Sequence, residues 1–245
     1  LIMKKRFKAI NEKAMMCRFH TQTGGSTLTS EQPSNNIIRT TIQAMSAVLG
    51  GTQSLHTNGF DEALSLPSDE SAKLALRTQQ ILAHETNIPN YPDPFGGSYL
   101  IEEMTNNFIE NSLKIIDEID GMGGALEAIE NSWIENQISK SAYEYQKGID
   151  DNSNIVIGVN QFIDEGSESE HTFQINTKSV DKQIDSLHLY KKNRSKINFN
   201  EKLKMLKKTA TSNENIMPAI LECVKNQCTL GEISDTLREV FGSHE

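Results

Sequence analysis

Two stretches decide the fold: RFHTQTGG over residues 18–25 and GGTQSLHTN over residues 50–58. The surrounding runs, residues 14–22 and residues 52–57, are short strand candidates that end in polar residues and glycine. In parallel α/β proteins, functional residues collect at the carboxyl ends of the strands. We therefore expect a site in the loops after these two strands.

A helical pattern follows each strand candidate. Residues 34–49 carry apolar side chains at three- and four-residue spacing, and Gly50 and Gly51 end the pattern. Ser68 can cap a second helix that has acidic residues in its first turn. The order strand, helix, strand, helix predicts an α/β fold, and two parallel strands need further strands to complete their sheet.

The rest of the chain is predicted to be mainly helical. Residues 4–13 are expected to end a helix, and a proline-rich connector leads to the helical part, so we divide the chain into domains 1–100 and 101–245. Residues 155–159 are a further strand candidate, and residues 164–170 are predicted to form an acidic surface loop.

Local capping signals mark the last helices. Asn215 can cap a helix with Pro218 in its first turn, and Thr229 with Glu232 forms a capping box. Gly242 is expected to end the final helix.

The charge balance argues against two classes of partner. There are 33 Asp and Glu residues against 24 Lys and Arg residues, a net charge of -9, which disfavours binding to nucleic-acid phosphates. No apolar run approaches the roughly 18 residues of a membrane span. We expect a cytoplasmic protein with neither a nucleic-acid nor a membrane partner.

Two other features are assigned ordinary roles. Cys223 and Cys228 lie five apart in a predicted helix and should face different sides, and the three cysteines suggest neither a disulfide framework nor a zinc site. A basic stretch near the C-terminus is predicted to be a solvated helical face. Its members are Lys191, Lys192, Arg194, Lys196, Lys202, Lys204, Lys207 and Lys208.

The candidate site residues allow two interpretations. Arg18, His20 and Gln22 alternate along the first strand and share one face, where they either meet a polar ligand or belong to a satisfied polar network or a solvent-facing edge. Asp61 and Glu62 either bind a ligand or form an acidic pair at a helix start. No catalytic triad, metal-ligand cluster or phosphate-binding loop is present in the sequence, so we predict neither a catalytic residue nor a metal site.

Several ungapped motifs resemble the methylmalonyl-CoA mutase family, in the C-terminal part of its large, catalytic subunit. The motifs occupy residues 18–25, 35–36, 50–58, 60–64, 93–99 and 229–242. The resemblance implies the last two strands of a (β/α)8 TIM barrel, followed by a mainly helical extension. It also implies an isomerase that uses adenosylcobalamin (vitamin B12) for a radical rearrangement of methylmalonyl-CoA to succinyl-CoA.

The resemblance assigns cofactor contacts residue by residue. It implies that Asn58 and Glu62 hold the adenosyl ribose and that Gly25 lets the backbone approach the corrin ring. The remaining implied contacts are His20, Gln22, Ser65, Leu66 and Gln146. Gly24 and Ser26 depart from the family's usual residues, which leaves the acyl group undecided.

The resemblance also implies partners. The substrate carboxylate clamp and the catalytic His of the family lie upstream of Leu1, and the cobalamin-binding Asp-x-His-x-x-Gly pattern is absent from this sequence. We expect an N-terminal barrel portion, a small cobalamin-binding subunit and an acyl-CoA substrate, and we expect the isolated chain to be inactive. The alternative is a non-catalytic scaffolding subunit, or a truncated fragment of a related isobutyryl-CoA or 2-hydroxyisobutyryl-CoA mutase.

Overall fold

The computed structural model describes residues 1–164 and 177–243, which form a mostly helical α/β structure with a small parallel sheet. The chain divides into two compact units, Leu1–Phe173 and Gln174–Glu245. The first unit contains α1 (Ile2–Lys5), α2 (Glu12–Met15), β1 (His20–Gln22), α3 (Asn35–Leu49), β2 (Ser54–His56), α4 (Asp69–Glu85), α5 (Tyr99–Gly121), α6 (Ala125–Glu130) and α7 (Trp133–Asp150). The second contains α8 (Thr177–Asn193), α9 (Lys196–Ala210), α10 (Met217–Lys225) and α11 (Leu230–Phe241).

The sheet confirms the predicted parallel unit. Strands β1 and β2 pair in parallel, with Gln22 opposite His56, and α3 connects them. Each strand has three residues, and within the described chain no third strand joins them. The predicted eight-stranded barrel therefore stays a prediction, and so does the domain boundary at residue 100.

The helix that follows β2 begins where its cap predicts. The Ser68 hydroxyl accepts a hydrogen bond from the Ser71 amide (3.2 Å), and Asp69 and Glu70 occupy the first turn of α4. Asp61 and Glu62 lie in a turn well before this helix, so neither belongs to its first turn. The interpretation of an acidic pair at a helix start is wrong for Glu62, but it holds in part for Asp61, whose carboxylate accepts a hydrogen bond from the backbone amide of the N-cap residue Ser68 (2.9 Å).

The region before β1 differs from the prediction. Helix α1 ends at Lys5, and Lys8 has a positive φ of 54°, which is incompatible with a continuing helix. The Asn11 side chain then accepts from the Lys13 amide and starts the short helix α2. The first part of the predicted strand 14–22 is consequently helical.

The strand predicted over residues 155–159 is absent. The segment makes only an isolated bridge between Ile157 and Gln161. Gly158 has a positive φ of 85°, which turns the chain at the centre of the apolar run. The predicted acidic loop lies outside the described residues from residue 165 onward.

The second unit has an apolar core in which α9 packs against α10 and α11. The predicted capping box is confirmed, because Thr229 and Glu232 exchange side-chain and backbone hydrogen bonds. Asn215 accepts from the Met217 amide (2.9 Å) at the start of α10. The buried core residues are Leu206, Ala219, Cys223, Cys228 and Ile233.

The prediction for the two cysteines near the C-terminus was wrong. Helix α10 ends at Lys225, and Gln227 has a positive φ of 63° that reverses the chain. The Cys228 amide returns to donate to the Cys223 carbonyl (2.9 Å). Both thiols therefore face the same core, and burial raises the pKa of Cys223 to about 12.

The predicted solvated basic face also needs a correction. Arg194 is buried, forms an ion pair with Glu232, and stacks on the ring of Phe199, which lies 3.7 Å from the guanidinium carbon. A buried guanidinium requires such partners because an unpaired buried charge is strongly destabilising. None of the helices in the two described ranges combines the length and apolarity of a membrane span.

Candidate functional site

The carboxyl ends of β1 and β2 bring two loops together. The Thr23 amide donates to the His56 carbonyl (3.1 Å), which extends the pairing by one residue. The Thr23 hydroxyl then accepts a hydrogen bond from the backbone amide of Asn58 (2.9 Å). Thr23 and Asn58 are both buried, so the point where the loops leave the sheet has a fixed geometry.

Asn58 lies at the centre of this arrangement. Gln22 Nε2 donates to Asn58 Oδ1 (3.1 Å), which fixes the orientation of the Asn58 amide. The other amide atom, Asn58 Nδ2, is buried and has no hydrogen-bond partner within the described residues. An unpaired buried donor is costly, so this nitrogen is suited to a ligand that can accept a hydrogen bond.

Gly25 faces Asn58 from the first loop. A Cβ atom placed on Gly25 would lie 3.0 Å from Asn58 Nδ2 and 3.4 Å from Glu62 Oε1. The missing side chain therefore leaves open the space that borders both polar groups. Glu62 is exposed and makes no ion pair in the part of the chain that the structure describes.

Gln43 on α3 holds the first loop in place. Its Oε1 accepts from the Gly24 amide (2.7 Å), and its Nε2 donates to the Thr27 hydroxyl (2.7 Å). The Thr27 hydroxyl in turn donates to the Gly24 carbonyl (2.7 Å). The turn that presents Gly25 is thus closed from both sides.

Asn36, at the first turn of α3, links the helix to both loops. Its Nδ2 donates to the carbonyls of Thr29 (2.8 Å) and Phe60 (2.9 Å), and its Oδ1 accepts from Arg39 (2.8 Å). Arg39 also donates to the Ile157 carbonyl (2.8 Å). The buried Asn36 side chain therefore connects both loops to helix α3.

Three other residues that the resemblance assigned to the cofactor, His20, Ser65 and Leu66, make local contacts outside the group of Gln22, Asn58 and Glu62. His20 shares a strand face with Gln22, is exposed, and forms a 2.7 Å hydrogen bond with Ser54. Ser65 donates to the carbonyl of Leu66 (3.0 Å), whose side chain is exposed. Both belong to the loop after Glu62, at the margin of the cluster.

Gln146 is not brought into the cluster of Gln22, Asn58 and Glu62. It donates to Asp150 (2.9 Å) on α7 and lines a separate cleft of about 580 Å³. Ser26 and Thr27 line the same cleft, so it borders the loop that contains Gly25.

The supporting residue Gln43 was missed from the sequence. Asn36, Thr40 and Gln43 are polar residues at four- and three-residue spacing on α3, and the first two are buried. Polar residues at helical spacing on an otherwise amphipathic helix indicate that this face supports polar loops. That periodicity was the available signal.

The chain belongs to the methylmalonyl-CoA mutase family, whose model matches residues 1–243. It is 42% identical to the mitochondrial methylmalonyl-CoA mutase of Mus musculus, with 100% of this chain and 33% of the relative covered. It is 38% identical to the large subunit of 2-hydroxyisobutanoyl-CoA mutase from Aquincola tertiaricarbonis, with 99% of this chain and 44% of the relative covered. The methylmalonyl-CoA mutase of Rhizobium meliloti (strain 1021) is 37% identical to this chain, with 98% of this chain and 34% of the relative covered.

These similarities confirm the family predicted from the motifs. The relatives are mutases, which are isomerases. The chain spans about a third of the length of the mouse relative. Its assignment to the C-terminal part of a large subunit stays a prediction.

Proposed function

We propose that the chain forms part of an adenosylcobalamin-dependent acyl-CoA mutase that converts methylmalonyl-CoA to succinyl-CoA, and that the loops after β1 and β2 hold the ribose of the cofactor. The observation that carries this proposal is the buried Asn58 Nδ2, which has no hydrogen-bond partner among the described residues and borders, with the Glu62 carboxylate, the open space at Gly25.

The residues present fit a ribose. Its two neighbouring hydroxyl groups can each donate and accept, so Asn58 Nδ2 can donate to one and Glu62 can accept from the other. A hydrogen bond to a charged group contributes roughly 1.5 to 3 kcal/mol. Binding would also relieve the cost of the unpaired Asn58 donor.

The supporting side chains have distinct roles in this proposal. Gln22 donates a hydrogen bond to Asn58 Oδ1, so Asn58 Nδ2 is the atom of this amide that is available to the ribose. We assign His20, Ser65, Leu66 and Gln146 to outer contacts with the same cofactor. When bound, adenosylcobalamin supplies radical chemistry through homolysis of its cobalt–carbon bond, and the chain's residues restrain the adenosyl group.

The small sheet supports the proposed barrel partner. Within the described residues β1 and β2 pair only with each other, whereas parallel sheets are normally covered on both faces. We propose that an N-terminal barrel portion supplies the other strands and the acyl-CoA site, and that a small subunit binds cobalamin. The expected compartment is the cytoplasm, although the mouse relative is named as mitochondrial.

The test uses the mutase reconstituted from these parts. Glu62→Gln and Asn58→Ala should each slow cobalt–carbon homolysis about ten- to a hundredfold. Each variant loses a hydrogen bond worth roughly 1.5 to 3 kcal/mol, and about 1.4 kcal/mol corresponds to a tenfold change in rate. Stopped-flow absorbance measures homolysis, and thermal melts measure stability. Asn58→Ala should cost at most about 1 kcal/mol of stability, since Gln22 loses its acceptor.

Glu70→Gln is the matched control, because Glu70 is an exposed acid in the first turn of α4. It should leave homolysis unchanged. Unchanged homolysis in Glu62→Gln, combined with a lower melting temperature, would show that the residue serves the fold instead.

A further inference from the structure

Two adjacent acidic residues in the second loop lie in opposite environments. Asp61 is 2% exposed and is among the largest fully buried side chains of the described chain, whereas Glu62 is exposed beside the proposed ribose site. A carboxylate is rarely buried without a specific purpose. The buried member of this pair has no part in the contacts proposed above.

Asp61 fixes both ends of the loop that carries Glu62. Its Oδ2 accepts from the Ser68 amide (2.9 Å), immediately before α4. Its backbone carbonyl accepts from the amides of Leu64 (2.8 Å) and Ser65 (3.0 Å). One residue therefore closes the turn after Glu62 and attaches the far end of the loop to its start.

The charge of Asp61 suits this place. Ser68 is the N-cap of the 17-residue helix α4, and the amino end of a helix favours negative charge. The remaining oxygen, Asp61 Oδ1, is buried and has no hydrogen-bond partner among the described residues. A buried carboxylate with one unsatisfied oxygen is unfavourable for stability, and the contacts that Asp61 does make connect the end of the loop to its start.

Gly59 keeps the carboxylate in position. A Cβ atom on Gly59 would lie 2.8 Å from Asp61 Oδ1 and 3.0 Å from the Ser71 hydroxyl oxygen. The backbone thus closes tightly over the Asp61 side chain, and the Glu62 amide donates back to the Gly59 carbonyl (3.2 Å). The direction in which Glu62 leaves the turn is fixed by this packing.

We infer that Asp61 is a positioning residue, whose buried carboxylate orders the loop between β2 and α4 so that Glu62 faces Gly25 and Asn58. Asp61 itself does not touch the cofactor, and its effect passes through Glu62. This inference rests on the proposed function of Glu62.

The first measurement concerns the loop and needs no cofactor. Amide hydrogen exchange in the full chain should show the Ser68 amide protected, although it precedes α4. Asp61→Ala should lower that protection at least about tenfold, and Asp61→Asn, which keeps an acceptor oxygen, should largely retain it. Asp69→Ala, at an exposed acid of the same helix start, is the control and should have no such effect.

The second measurement is the affinity of the reconstituted mutase for adenosylcobalamin. Asp61→Ala and Glu62→Gln should each weaken binding about tenfold, and the double variant should be no weaker than Glu62→Gln alone. Asp61→Asn should restore most of the affinity. A residue that only stabilises the fold would give additive effects.

The outcomes separate the two proposals. If Glu62→Gln leaves affinity unchanged, the proposed ribose contact is wrong and the positioning role fails with it. If Glu62→Gln weakens binding while Asp61→Ala does not, or if the two effects add, only the positioning role is overturned. If Asp61→Ala does not fold, the unmodified chain still tests the positioning role of Asp61. A Ser68 amide that is not protected from exchange in that chain would overturn this role.

Discussion

Among the described residues, the buried side chains of the unit Gln174–Glu245 are mostly apolar, whereas those around the strands of the unit Leu1–Phe173 are mostly polar. The polar set comprises Thr23, Asn36, Thr40, Thr57, Asn58, Asp61, Ser71 and Thr78. Apolar burial is the main source of folding stability, while paired polar groups add little net stability and fix geometry. The second unit is built for stability, and the interior of the first is built to hold two loops.

Exposed apolar side chains reinforce this difference. Helix α5 has 23 residues and buries none of them, and its Phe108 is 70% exposed. Large exposed apolar faces mark surfaces that bind other protein. In our account the first unit depends on the proposed barrel partner for the apolar burial that it lacks.

The largest expected effect is on the second unit. Glu232→Ala removes the charged partner of the buried Arg194 together with the capping-box bond to the Thr229 amide, and breaking a buried ion pair alone costs about 3 to 5 kcal/mol. Unfolding can be followed by the reaction of Cys223 and Cys228 with a disulfide reagent in a Cys17→Ser background, because both thiols are buried and Cys17 is exposed. The single tryptophan, Trp133, lies in the first unit and would not report this change.

Glu239→Ala provides the control, because its ion pair with Lys207 is exposed. Exposed pairs are worth at most about 1 kcal/mol. Equal losses of stability in the two variants would show that the buried ion pair contributes no more to the second unit than the surface pair does.

Acid should destabilise the second unit in a defined window. The hydrogen bonds from Arg194 hold the pKa of Glu232 at about 2, against an ordinary 4.5. Because the folded-state pKa is lowered, the stabilisation is complete above pH 4.5 and is lost as the pH falls towards 2. A shift of this size corresponds to about 3 kcal/mol.

This pH dependence can be measured by hydrogen exchange of α10 and α11 peptides, corrected for intrinsic rates. Glu232→Gln should be less stable than the unmodified chain at pH 7, and the difference should shrink between pH 4.5 and 2. A difference that stays constant over this range would contradict the assignment.

The smallest expected effect is on the first unit. Gln43→Leu removes the two hydrogen bonds that hold the Gly24–Thr27 turn, and it should cost about 1 kcal/mol in thermal stability. Gln80→Leu is a suitable control for the same change of side chain, because half-buried Gln80 accepts its hydrogen bond from Arg77 on the same helix, α4, and does not hold a loop. Exchange of the Gly24 amide should accelerate in Gln43→Leu only.

Features set by neighbouring residues were predictable from the sequence. The Ser68 cap and the box formed by Thr229 and Glu232 each involve residues three apart, so a short window contains the whole interaction. The parallel pair β1 and β2 followed from the order of elements.

Features set by distant residues were not predictable in this way. Glu232 lies 38 residues from Arg194, and nothing local to Arg194 distinguishes it from its solvated lysine neighbours. The reversal at Gln227 and the turn at Gly158 depend on positive φ angles that outweighed helix and strand patterns. In the site, Gln22 and Asn58 were implied as separate cofactor contacts by resemblance alone, whereas the hydrogen bond between them and the roles of Gln43 and Asp61 required the three-dimensional arrangement.

The proposal that Asn58 and Glu62 hold a ligand beside Gly25 can be checked by adding one methyl group to the loop. Neither Gly24 nor Gly25 has a positive φ, so alanine is compatible with the backbone at both. A methyl group on Gly25 would crowd Asn58 Nδ2 at 3.0 Å, whereas on Gly24 its nearest contact is an ordinary 3.6 Å. In the reconstituted mutase, Gly25→Ala should weaken adenosylcobalamin binding at least about tenfold, and Gly24→Ala should change it by less than about twofold. Equal affinities for the two variants would show that Asn58 and Glu62 do not hold the cofactor beside Gly25.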